Sequence, residues 1–112
     1  MSQRDYVQRM IERLGRFLAR VAGLRQEGEL ERALREVDDA IPQLLGIDLG
    51  LLESVDAQTA ARLLGSKERA EVLARILAEK VELLNAVARF DEAIKLRHRI
   101  SALQLALDSH ED

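Results

Sequence analysis

A single glycine separates two stretches of apolar residues with the same spacing, and that arrangement leaves few folds open. Before Gly28, apolar side chains fall at Met10, Ile11, Leu14, Phe17, Leu18, Val21 and Leu24; after it, at Leu30, Ala33, Leu34, Val37, Ala40, Ile41 and Leu44. Steps of three and four residues line each set along one face of a helix. Gly28 can take the positive φ that ends a helix, and Arg25 suits the negative end of the first helix dipole. Glu29 and Glu31 suit the positive end of the second. Two apolar faces joined by so short a turn are covered most simply by each other, so residues 17–40 predict an antiparallel helical hairpin.

The rest of the composition extends this to an all-α domain. In 112 residues there are six glycines and one proline, so long helices are barely interrupted. A chain of this length makes one domain, residues 1–112, burying roughly two-thirds of the surface it exposes when unfolded. Apolar residues make up 47% and charged ones 33%, a balance unlike that of a disordered segment. The absence of cysteine excludes disulfides, thiol catalysis and cysteine-based metal sites. The opening MSQRDYVQRM is charged and no apolar run approaches membrane-spanning length, so the expectation is a cytoplasmic protein of bacterial type. The net charge of −3 argues against a dedicated nucleic-acid binder, although a local patch can outweigh the total.

Helix one, about residues 3–27, separates into three stripes when its residues are placed about 100° apart. Met10, Leu14, Phe17, Val21 and Leu24 make the core face. Arg9, Arg13, Arg16 and Arg20 share a narrow sector about a third of a turn away. Gly15, Ala19 and Gly23 form a third stripe of small residues. Each glycine costs the helix about 1 kcal/mol against alanine. Close approach of another helix backbone, from within the chain or from a second copy, is the expected compensation.

Helix two, about residues 29–45, carries Pro42, which predicts a kink or an early stop between Ala40 and Leu45. A connector over about 46–66 follows, punctuated by Gly46 and Gly50, with Asp48 and Asp56 as N-cap candidates. Leu49, Leu51, Leu52 and Val55 predict a helical turn that plugs one end of the core, and Asp56 a short helix ending by Gly65. Ser66 caps a fifth helix, about 67–87, with Val72, Ile76, Leu77, Val81, Leu83 and Leu84 as its apolar set. After a glycine-free turn at 85–89, a sixth helix over about 90–107 presents Ala93, Ile94, Leu96, Ile100, Leu103 and Leu107, and residues 108–112 should fray. The predicted fold is a compact bundle of five to six helices: two hairpins, about 3–45 and 67–107, joined by a short-helix connector.

The hairpins repeat at an offset of 60 residues, Leu30-Glu31-Arg32-Ala33-Leu34 aligning with Phe90-Asp91-Glu92-Ala93-Ile94. With Phe17, Leu24, Gly28, Leu30, Ala33, Val37 and Ala40 in register, the first hairpin resembles a tetratricopeptide repeat; Leu77, Leu84, Phe90 and Ala93 extend the likeness to the second. Val21 and Val81 stand where that family places a small residue, and Arg97 where an aromatic is usual, so a regular superhelix is not expected. Over nearly the whole chain, Gln3-Arg4-Asp5-Tyr6, Arg9-Met10-Ile11-Glu12, Leu24-Arg25, Glu27-Gly28 and Leu44-Leu45-Gly46-Ile47-Asp48-Leu49 are similar to a small bacterial family of unknown function. That resemblance implies a helical, repeat-like fold and no particular chemistry.

The arginine strip could grip phosphates or an acidic peptide. Glu12, Glu27, Glu31, Glu36 and Asp38 could instead neutralise it, and a solvated, ion-paired face is the commoner outcome. Lys95, Arg97, His98 and Arg99 point around their helix, only Lys95 and Arg99 stack, and Asp91 offers Lys95 a partner, which predicts ordinary surface. No Glu stands three before a His, and Glu71, Glu79 and Glu82 fall among surface positions, so no di-metal carboxylate site is expected. No Ser, His and carboxylate group together and no glycine-rich phosphate loop follows a strand, so neither catalytic residues nor cofactors are expected. Helix one comes nearest to a membrane-surface helix, but its apolar face has a use inside the bundle. The favoured function is a non-enzymatic scaffold binding a protein partner or a second copy of itself as a homodimer, as hairpin stacks do on their concave side. Gly15, Ala19 and Gly23 with the adjoining Arg9, Arg13, Arg16 and Arg20 form the candidate interaction face. The alternative is polyanion binding, to nucleic acid or phosphate, through the arginine strip.

Overall fold

The computed structural model describes residues 3–109, which form six helices and, among those residues, no strand. They are α1 (Gln3–Gln26), α2 (Leu30–Leu45), α3 (Leu49–Ser54), α4 (Ala57–Leu64), α5 (Lys67–Ala86) and α6 (Phe90–Ser109). Residues 110–112, most of the tail expected to fray, lie outside the described residues, and Asp108 and Ser109 belong to α6 instead.

α5 is the element that four of the other five helices share. Its buried side chains, Ala70, Val72, Leu73, Ile76, Leu77, Val81, Leu83 and Leu84, spread over about half of its circumference, which one neighbour cannot cover. α2 packs on one side of it and α6 on the other, with lesser contacts from α1 and α4. α1 reaches the core mainly through α2, burying Met10, Val21 and Leu24 with Leu14 and Phe17 half-buried. Each fully buried Leu, Ile or Val contributes roughly 1.5–3 kcal/mol through loss of apolar surface from water. The shortest extent of the molecule is 20 Å, two helix diameters, as a two-layer helical packing requires.

Both hairpin turns follow from their last helical carbonyls. At the first, Gly28 N–H donates to the Arg25 carbonyl (3.1 Å) and Glu29 N–H to that of Leu24 (2.9 Å), with Gly28 at φ 76°. The second repeats this 60 residues later: Ala88 N–H to Asn85 (3.1 Å) and Arg89 N–H to Leu84 (2.8 Å), with Ala88 at φ 64°. This is the glycine-type helix ending, built the second time on alanine.

The connector folds as α3 and α4. The Asp56 carboxylate accepts from Thr59 N–H at 2.7 Å and caps α4, while Ser66 Oγ accepts from Arg69 N–H at 3.2 Å and caps α5. Asp48 occupies the N-cap position of α3 without a side-chain cap bond. Leu52 is buried, and Leu49 and Val55 pack against the core. Leu51 does not join the plug: it is 48% exposed, because a single six-residue helix cannot turn four apolar side chains to one side.

Pro42 lies inside α2, which runs on to Leu45, the far limit of the stop expected for it. Its missing donor falls within the last turn, and the Pro42 carbonyl is taken by Gly46 N–H at 2.8 Å. Ile94, expected among the inward residues of α6, is 51% exposed, while Ala106 is buried.

Candidate interaction surfaces

The arginines hold the fold at its helix ends. α2 has no basic residue in its last turn, so its carbonyl end lacks a local cation. Two arginines from elsewhere fill the gap: Arg13 Nη2 on α1 donates to the Gln43 carbonyl at 2.8 Å, and Arg69 Nη2 on α5 donates to that of Leu45. Arg69 also donates through Nη1 to the Tyr6 hydroxyl at 2.9 Å, so one half-buried guanidinium ties α5 to both helices of the first hairpin. α3, likewise without a basic residue in its last turn, is closed by Arg99 on α6, whose Nη2 donates to the Leu52 and Val55 carbonyls at 2.6 Å each.

Arg99 is therefore not the ordinary surface residue its charged neighbours suggested. Its partners are carbonyls, which a search for carboxylates along one helix does not find. The absence of basic residues at the ends of α2 and α3 was the available signal. Nor is Glu79 merely surface: it pairs with Arg25 at 3.0 Å and joins α5 to α1. Lys80 pairs with Asp38 at 2.8 Å, joining α5 to α2, and Glu92 pairs with Arg89 at 2.7 Å in place of any contact between Asp91 and Lys95. Arg89 holds the Glu92 carboxyl below its ordinary range.

Among the described residues, no atom closes on the two glycines of the small stripe. A Cβ added at Gly15 or Gly23 would have no neighbouring atom within 4 Å, so no helix backbone approaches there. Gly15 and Ala19 are exposed and Gly23 is half-buried. Close approach of another helix backbone from within the described residues is not seen at Gly15 or Gly23; α1 touches its neighbours through its large apolar face.

All four strip residues, Arg9, Arg13, Arg16 and Arg20, are exposed, and the structure uses them unequally. Arg13 is anchored on Gln43, Arg20 makes a loose 3.4 Å pair with Glu36, and Arg9 is engaged as well. Arg16 has no hydrogen bond or ion pair among the described residues. Arg13, Arg16 and Arg20 line a groove between α1 and α2 of about 250 Å³, whose floor is Phe17, Ala40 and Leu44. Of the carboxylates expected to neutralise the strip, only Glu36 enters this groove, and Asp38 turns away to Lys80.

Two other depressions are shallower in chemistry. One of about 310 Å³ between α5 and α6 mixes Lys80, Lys95 and Arg99 with Glu53 and Glu92. Another of about 810 Å³ lies along the start of α1, over Val7 and Ile11, with Arg4, Glu12 and Glu68 around it. The outward side of α6 carries Phe90 (56% exposed) and Ile94 (51%) one turn apart at its start, and Leu105 (70%) about 16 Å further along the same arc, beyond the polar Arg97 and Ser101.

Among the described residues every buried side chain is apolar, and no group of three or more His, Asp or Glu is placed to hold a metal ion. None of their helices is long and apolar enough to cross a membrane. What fold and surfaces define together is a small all-helical bundle. No protein-family model matches the chain, and no curated protein or solved structure matches it either.

Proposed function

We propose that this chain is a non-enzymatic scaffold for protein association, assembled from tetratricopeptide-like hairpins and working in the bacterial cytoplasm. The observation that supports it is the exposed apolar pair Phe90 and Ile94 at the start of α6, with Leu105 further along the same side. Phe90, Ile94 and Leu105 leave three large side chains in water on the last helix of the stack, while Ala93, Leu96, Ile100 and Leu103 on the other side of that helix pack against the core. In a stack of helical hairpins, that outer face is where a further hairpin, a partner helix or a second copy packs.

Site-specific photo-crosslinking in living cells tests the reading. A crosslinker at position 94 or 105 should capture a defined protein, or the chain itself, and the double variant Ile94→Glu, Leu105→Glu carrying the probe at position 90 should lose that product. The same probe at exposed Arg35 on α2 should capture nothing. Equal labelling at both places, or none at α6, would end the proposal. Because the substituted side chains lie outside the core, stability should stay within about 0.5 kcal/mol of the parent.

A further inference from the structure

The groove between α1 and α2 sets three cations against one anion. Three guanidinium groups line it, and one carboxylate, Glu36, faces them. Each guanidinium carries five N–H donors in a planar fork, of which Arg13 uses one on the Gln43 carbonyl and Arg20 one on Glu36. Arg16, between them in the chain, uses none within the described residues. Beneath lies the half-buried Phe17 with Ala40 and Leu44, an apolar floor beside the cationic rim.

We infer that this groove binds a single compact phosphate monoester with an apolar or aromatic body. The guanidinium fork of Arg16 meets two phosphate oxygens, Arg20 turns from its loose contact with Glu36 to a third, and Phe17 takes the apolar part. The charge balance matches a dianion, since two of the three guanidinium charges have no carboxylate in the groove. At about 250 Å³ the space suits a small molecule and not a strand. Arg13, drawn to the Gln43 carbonyl of α2, lines the groove beside Arg16 and Arg20. The inference is independent of the contact face on α6.

Phenyl phosphate, inorganic phosphate and a single-stranded oligonucleotide are titrated into the full chain at low ionic strength, followed by calorimetry and by phosphorus NMR. Phenyl phosphate should bind saturably, one per chain, and more tightly than inorganic phosphate. Arg16→Gln should weaken it about tenfold or more, the loss expected for charge-assisted hydrogen bonds, without shifting the helical melting curve. Glu36→Gln should tighten it severalfold by removing the opposing charge. Arg97→Gln, on α6, should leave it unchanged. Absence of saturable binding, binding that Arg16→Gln or Glu36→Gln leaves unaltered, or oligonucleotide binding with steep salt dependence in place of phenyl phosphate binding would each overturn the assignment.

Discussion

Gly28 and Ala88 stand at equivalent points of the two hairpins, each at positive φ and each donating to the carbonyl three residues back at 3.1 Å. Glycine enters that region without steric cost, whereas an alanine Cβ crowds the following carbonyl by roughly 1–2 kcal/mol. Ala88→Gly should therefore stabilise the protein by about 1 kcal/mol, and Gly28→Ala should destabilise it by a similar amount. Urea unfolding followed by circular dichroism measures both, and an Ala88→Gly variant less stable than the parent would contradict the shared turn geometry.

Gly15 and Gly23 predict the opposite response. Each lies within α1 with open space where a Cβ would stand, so Gly15→Ala and Gly23→Ala should each add about 0.5–1 kcal/mol. Thermal melts of the dilute protein report this gain. If the stripe also joins two copies, sedimentation at high concentration should show the same variants, or Ala19→Leu, dissociating the dimer while the melts improve.

Arg69 ties α5 to both helices of the first hairpin, bridging the Leu45 carbonyl and the Tyr6 hydroxyl. Arg69→Met keeps the packing of its stem and removes both bonds, which should cost about 2–3 kcal/mol. Tyr6→Phe alone should cost about 1 kcal/mol, and close to nothing once Arg69 is gone. A full additional loss in the double variant would show that the tyrosine acts independently of the arginine.

Two carboxyl groups contribute to the response to acid. The Asp56 carboxyl is held below its ordinary range first by the Thr59 backbone N–H and then by the Thr59 side chain, and that of Glu92 by its hydrogen bond from Arg89. Both give up their protons more readily folded than unfolded. Their stabilisation is thus complete above the ordinary carboxyl range and is lost as pH falls through the lowered folded values. Melting temperature should fall between roughly pH 5 and pH 3, and fall less in Asp56→Asn, Glu92→Gln, where the Asn still caps α4 without titrating. Equal slopes for parent and variant would place the acid sensitivity elsewhere.

Periodicity and punctuation carried the helices: the three-and-four spacing marked the faces of α1, α2 and α5, Gly28 and Gly65 marked ends, and Asp56 and Ser66 marked starts. These are decided among residues within one or two turns of each other, and so are written in any stretch of the chain. The candidate site was legible only as residue types. Which arginines remain available was settled by the Gln43 carbonyl and by Glu36, residues of another helix.

Sequence alone determined that this protein is an all-helical chain of five to six helices folding back at Gly28, because amphipathic spacing and turn chemistry act locally. Tertiary structure decided where the charges went. Arg69 meets a carbonyl 24 residues away and Arg99 one 47 residues away, and neither pairing exists until the helices pack. It also decided that Ala88 must stand in a glycine's conformation, that among the described residues no backbone comes near Gly15 or Gly23, and that α6 keeps Phe90, Ile94 and Leu105 in water. A side chain's partner is a property of the packed arrangement, and spacing along one helix does not contain it.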